Sequence, residues 1–169
     1  ADKPGDGVHP FSAFTISVCT LRPESRGEVR INSADPSQPP TIIPNYLSTE
    51  GDQKIAVESI KVARKIAKAS PLKKYIIDEF VPGESYISDE QLLEAAKNNS
   101  QSIYHPVGTC KMGHDDSSVV DDQLKVHGIS GLRVVDASIM PELISGNTNA
   151  PTMMIAEKAA DMILDEKLL

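Results

Sequence analysis

The chain has 169 residues, 40% of them hydrophobic and 24% charged, which suits one ordinary globular body with a real core. Its formal net charge is −7 and no basic stripe is visible, so nucleic acid is excluded as a partner. No apolar run approaches the length needed to span a bilayer, and Cys19 and Cys110 form neither a disulfide framework nor a C-x-x-C pair, which fits a reduced compartment.

The opening A-D-K-P-G-D-G is loop-like, carries no signal pattern and lacks a start Met, which suggests a piece of something longer. Phe11–Leu21 alternates in its second half, Phe14, Ile16 and Val18 against Thr15, Ser17 and Cys19, and predicts a strand. Pro23–Gly27 is a polar turn. Glu28–Asn32 alternates again, with Val29 and Ile31 on one face, so a hairpin with the first strand is the simplest reading. Two strands make no stable sheet alone, so others must join. Asp35–Pro40 is a loop, and Thr41–Leu47 is extended, with Pro44 forbidding a central strand position.

Thr49–Ala69 predicts a helix with Ile55, Ala56, Ile60, Ala63, Ile66 and Ala67 at helical spacing and a solvated lysine-rich face opposite. Its basic residues favour the C-terminal half, matching the helix dipole. Ser70-Pro71 restarts a short helix to about Asp78. Phe80–Tyr86 is a loop. Ser88 and Gln91 form a capping box that opens a helix to about Asn98. Asp115–Lys125 reads as an acidic surface excursion, Gly131–Asp136 as a short buried strand, and Ala137–Gly146 as irregular. A final helix follows, capped by Asn149, with Pro151 in its first turn and Met154, Ile155, Ala159, Met162 and Ile163 on its apolar face.

Chemistry concentrates in two stretches. Ser102–Gly113, S-I-Y-H-P-V-G-T-C-K-M-G, sets His105 between extended residues and glycines. Imidazole is the side chain whose unperturbed pKa lies nearest neutrality, so this residue type suits proton transfer. Arg133–Glu157 ends in N-T-N-A-P-T, which places two carboxamides and free N–H groups at the mouth of a helix, an end that attracts anions or electron-rich carbonyls. A plain N-cap would use only one of those asparagines. Asp136-Ala137 follows an apolar strand, where α/β architectures collect ligand groups, although taken by itself a turn aspartate capping its neighbours is the better explanation. His105, Cys110 and His114 lie close in sequence, but their spacing lacks the paired ligands of a zinc site, and no metal is expected. His9 and His127 read as surface residues.

Taken in order, H-P-V-G-T-C-K-M-G, L-R-V-V-D-A-S-I-M-P and N-T-N-A-P-T-M-M-I-A-E-K-A-A-D resemble the C-terminal part of the glucose–methanol–choline (GMC) flavoprotein oxidoreductases, in particular the choline and alcohol dehydrogenase branch. S-R-G-E-V-R-I-N-S-A-D-P followed by P-N-Y-L also resembles the start of that family's substrate domain, so the likeness runs from about residue 11 to the end.

The resemblance implies an α+β fold, with an antiparallel sheet and helices packed on one face. A C-terminal strand and helix would complete an FAD domain in the full-length protein. Residues 1–130 would belong to the substrate domain and 131–169 would return to the FAD domain. It further implies FAD-dependent oxidation of a small alcohol to an aldehyde or ketone, with His105 and Asn147 as the catalytic pair. Asp136, Ala137, Asn149, Ala150, Pro151 and Thr152 would meet FAD. The family's G-x-G-x-x-G fingerprint is absent from these residues, so the N-terminal FAD domain is expected as a missing partner and the chain alone is expected to be inactive and free of FAD. A face exposed without that domain invites a homodimer. The expected location is cytoplasmic, or peripheral to the membrane in the parent. The competing reading is a free-standing binding or assembly domain without redox chemistry.

Overall fold

The computed structural model describes residues 7–167, so the first six residues of the loop-like opening lie outside it. The described chain divides into two compact units, one of residues 7–19 and 54–99, the other of 20–53 and 100–167. The mixture of helices with a small antiparallel sheet is the expected α+β class.

In the first unit, residues 12–19 form no regular element and pair with no strand among the described residues. The predicted strand at Phe11–Leu21 is therefore not formed. Alternation prepares a segment for a sheet, but a strand exists only where a neighbour takes its N–H and C=O groups. Helix α1 (Glu50–Ala67) carries Glu50 and Asp52 in its first turn and Arg64 and Lys65 in its last, both complementing the helix dipole. Val57 is its buried apolar residue in this unit, whereas Ile55 and Ile66 of the predicted face are exposed.

Helix α2 (Ser70–Lys73) is a single turn with proline near its start and stops well short of Asp78. Helix α3 (Asp89–Asn99) opens with the predicted box. Ser88 Oγ accepts from Gln91 N–H at 3.3 Å, and Gln91 Oε1 accepts from the Ser88 and Ile87 N–H groups at 3.0 Å. Leu92, Ala95 and Ala96, spaced i, i+3 and i+4, are its buried face.

The lysine-rich face of α1 is not merely solvated. Arg64 makes a two-pronged pair with Glu79 (Nε–Oε2 and Nη2–Oε1, both 2.8 Å) and donates to the carbonyls of Tyr86 and Gly83. One guanidinium thus ties the 79–86 loop to the helix. Lys61 reaches Asp89 at 2.7 Å, at the start of α3.

In the second unit, β1 (Glu28–Arg30) pairs antiparallel with β2 (Thr41–Ile43), Val29 facing Ile42. The partner of the 28–32 strand is therefore the next extended segment and not 11–21. β2 stops at the residue before Pro44, which lacks the N–H to continue the ladder. Gly27 is required at the open end of the ribbon, because a Cβ there would collide with the Ile43 carbonyl. Every residue of both strands is exposed, and α4 packs on the 137–139 turn rather than on this ribbon, so no helix of this unit covers it.

The start of α1 is fastened to the Pro23–Gly27 turn. Thr49 Oγ1 accepts from Asp52 N–H at 3.2 Å, and the Asp52 carboxylate accepts from the Glu24 N–H (3.0 Å), the Ser25 N–H (2.8 Å) and the Ser25 hydroxyl (2.5 Å). Burial pushes this carboxyl up, but those donors together outweigh it and hold it below its ordinary value.

The core of this unit is Val120, Leu124, Ile139, Met140, Ile155 and Ala159. The 115–125 segment is therefore no surface excursion: two of its apolar residues plunge into the core between acidic neighbours. Gly131–Asp136 is not a strand. It runs beside 124–126 through one bridge, Lys125 to Arg133, with Val126 N–H on Leu132 O (3.0 Å) and Val134 N–H on Leu124 O (3.2 Å). Val134 and Val135 pack against the core, as a buried segment should.

Candidate functional site

All the chemistry-bearing stretches fall in the second unit, and backbone bonds join them. Cys110 N–H donates to Ser138 O at 3.0 Å and Met112 N–H to Ile139 O at 2.8 Å. The loop carrying His105 is thereby stitched to the 3-10 turn at Ala137–Ile139. Gly108 allows the crossing: its φ is +89°, and a Cβ would sit 3.4 Å from Met140 O. Helix α4 (Asn149–Lys167) packs on the same turn and sends Ile155 and Ala159 into the common core. Its far end is held by Glu166, which pairs with Lys125 (2.5 Å) and Arg133 (2.6 Å). The Arg133 guanidinium, then the Lys125 ammonium, hold the Glu166 carboxyl down at about 2.

His105 is half-buried. The chain turns into it through Tyr104, whose φ of +63° is unusual for an aromatic residue and whose N–H donates to Ser102 Oγ at 2.9 Å. The ring is held from one side: its Nδ1 lies 3.2 Å from the hydroxyl oxygen of Thr148. Nε2 makes no hydrogen bond to the described residues. Thr148 is itself buried, only 8% exposed.

The start of α4 differs from the expected cap. Thr152 N–H donates to Thr148 O at 3.0 Å, so the residue at the helix mouth is Thr148 and Asn149 is already inside. An N-cap side chain ordinarily accepts from the second or third helical N–H. The third residue here is Pro151, which has no N–H. The Thr148 hydroxyl accepts from neither that position nor the Ala150 N–H and lies instead against His105. Thr152 spends both its N–H and its hydroxyl (2.6 Å) on Thr148 O. The N–H groups of Asn149 and Ala150 find no acceptor among the described residues. Asn147 and Asn149 are exposed and have no hydrogen bond from their side chains there.

Asp136 caps the 3-10 turn, its Oδ1 accepting from Ser138 N–H at 2.7 Å, and Ala137 is the first residue of that turn. The residue is exposed, and Oδ2 has no hydrogen bond among the described residues. Among the described residues no group of three or more His, Cys, Asp or Glu side chains is placed to hold a metal ion, so His105, Cys110 and His114 do not converge. No helix among them is long and apolar enough to cross a membrane.

Thr148 is the residue that sequence reasoning passed over. The available signal was the proline: a helix beginning at Asn149 puts Pro151 where one of the cap's two partner N–H groups belongs.

The GMC oxidoreductase family model matches residues 23–156. This chain belongs to the GMC oxidoreductase family. It is 48% identical over 151 residues to an alcohol dehydrogenase [acceptor] of Pseudomonas putida, covering 89% of this chain and 27% of that protein. It is 49% identical over 156 residues to an oxygen-dependent choline dehydrogenase of Escherichia coli, covering 92% of this chain and 28% of that protein. A solved formate oxidase of Aspergillus oryzae, described for its FAD modification, superposes with a TM-score of 0.80 at 36% identity, over 86% of this chain and 26% of its own. The chain thus spans about a quarter of the length of the relatives it matches.

Proposed function

We propose that this chain is the C-terminal catalytic and substrate region of a flavoprotein that oxidises an alcohol to an aldehyde or ketone. In this reading residues 1–130 contribute to a substrate domain and 131–169 to an FAD domain whose remainder lies upstream in a longer parent, and the 169 residues alone do not turn over. The observation that carries it is the 3.2 Å contact between His105 Nδ1 and Thr148 Oγ1. It ties a proton-handling ring to the residue that opens a 19-residue helix with unsatisfied N–H groups at its mouth.

Those groups fit FAD. The N–H of Asn149 and of Ala150, with the Asn149 carboxamide, form a donor set at the positive end of a helix, suited to an electron-rich carbonyl edge. Pro151 fixes the first turn and gives no donor, and Thr152 closes that turn on Thr148 O. Asp136 and Ala137 would serve a second stretch of the cofactor through the carboxylate oxygen that Ser138 leaves unused and the turn backbone. FAD, when bound, supplies the hydride acceptor.

The protein's part is to hold and move a proton. His105 takes the hydroxyl proton of the alcohol at Nε2, the ring nitrogen not engaged by Thr148. The Asn147 carboxamide donates to the same oxygen and orients it. The open helix mouth favours negative charge developing beside it.

In the full-length parent, His105→Ala lowers the rate of flavin reduction by roughly 10²–10⁴, the usual range for losing a positioned acid or base. Asn147→Ala slows reduction while FAD stays bound. Rapid-reaction flavin bleaching measures both. A wild-type rate in His105→Ala would remove that residue from the chemistry, and loss of FAD with normal chemistry would move Asn147 to cofactor binding.

A further inference from the structure

We propose that Thr148 is a positioning residue that fixes the tautomer of His105, its hydroxyl oxygen accepting Nδ1–H so that the Nε2 lone pair is the one presented to an incoming hydroxyl. The direction of this bond rests on the proton-transfer reading above: a hydroxyl can donate to Nδ1 as well as accept from it, and a neutral ring that takes a proton at Nε2 keeps its own on Nδ1. Free imidazole does not supply this state by default, since the Nε2–H form is the more populated one in water. Which nitrogen keeps the proton in a protein is set by the hydrogen bond that the other one makes.

Three observations converge on this contact. Thr148 is buried, so its hydroxyl meets little water and its choice of partner matters. Pro151 takes away one of the two N–H groups that a threonine at a helix mouth ordinarily holds, and the hydroxyl does not accept from the other, that of Ala150, so the oxygen is free of the helix. Thr148 O is bonded twice, by Thr152 N–H and by Thr152 Oγ1, so the backbone that carries the hydroxyl is pinned to the first turn of α4. The hydroxyl also remains an acceptor for Nδ1–H after Nε2 has gained a proton, so one geometry serves both states of the ring.

The test begins with the full 169-residue chain labelled with 15N-histidine, whose four histidines are told apart by a His105→Gln variant. Nitrogen shifts at a pH where the ring is neutral report the tautomer directly. The expected result is Nδ1–H in the unsubstituted chain, a move toward Nε2–H in Thr148→Val, and recovery in Thr148→Ser. An Nε2–H ring in the unsubstituted chain overturns the proposal, and so does a Val variant with unaltered shifts. Should Thr148→Val fail to fold, the unsubstituted and Ser spectra still decide. In the full-length flavoprotein, Thr148→Val is expected to slow flavin reduction by about 10- to 100-fold, the scale of losing a group that orients a functional histidine. Thr148→Ser is expected to restore it. An unchanged tautomer together with a slowed enzyme refutes this role for Thr148. A wild-type rate in His105→Ala, by contrast, refutes the catalytic reading and leaves the nitrogen spectra to stand by themselves.

Discussion

Asp52 is the residue whose removal most directly tests how the second unit is held. Its side chain is 2% exposed and accepts from two backbone N–H groups and one hydroxyl in the Glu24-Ser25 turn. Replacing it by alanine strands those donors. The Ser25 hydroxyl can rotate to another acceptor, whereas the N–H groups cannot. At about 1–3 kcal/mol for each donor left unsatisfied, and allowing water at the exposed Glu24 side, Asp52→Ala should cost about 2–4 kcal/mol. Asp52→Asn keeps one acceptor oxygen and loses the charge, so about 1–2 kcal/mol is expected. Urea unfolding of the chain, followed by circular dichroism, measures both. The pH dependence is a second check. The folded carboxyl sits below its ordinary value of 3.8, so its contribution is complete above that pH and disappears as pH falls through the lower folded value. The gap between the unsubstituted chain and Asp52→Asn should therefore narrow on acidification below about pH 4. An alanine variant as stable as the parent, or a gap that widens in acid, would refute the argument.

Arg64→Met removes both prongs on Glu79 and the donors to Gly83 and Tyr86, leaving a half-buried carboxylate alone, and should cost roughly 2–4 kcal/mol with faster proteolysis of the 79–86 loop. Arg64→Lys should recover only part of it, because an ammonium cannot make the fork. Glu166→Gln should speed amide exchange in the last turns of α4, and high salt should mimic it, since the pair with Lys125 and Arg133 is exposed on the carboxylate side. Because that carboxyl is held at about 2, its contribution is present above the ordinary value of 4.5 and fades as pH drops toward 2.

What could be read from the sequence was the local part. The Ser88–Gln91 box, the end of β2 at Pro44 and the last helix each depend on residues within a few positions of one another, so pattern alone determines them. The strand expected at 11–21 failed because pairing is a property of two segments. The acidic 115–125 stretch misled for a related reason: the charges flanking Val120 and Leu124 are visible in sequence, but the cavity they fill is built by Ile139, Met140 and α4. Arg64 sits on the face read as solvated and nothing local marks Asp52, because their partners lie 15–28 residues away. The family was legible for a different reason, namely that its motifs occur in order.

The candidate site combines both kinds of information. Sequence alone singles out His105 and the N-T-N-A-P-T turn, yet nothing in their 43-residue separation says that they touch, or through which residue. The contact is made by Thr148 and not by either asparagine. The reason is partly local: Pro151 removes one of the two N–H groups that Thr148 could have capped, and the other, that of Ala150, is not taken up. An N–H at position 151 would have been a further competitor for the hydroxyl. A proline in the first turn therefore starts the helix and also removes one competitor for the oxygen that reaches the histidine. Pro151→Ala should accordingly weaken the His105–Thr148 bond while leaving every side chain that touches the ring in place.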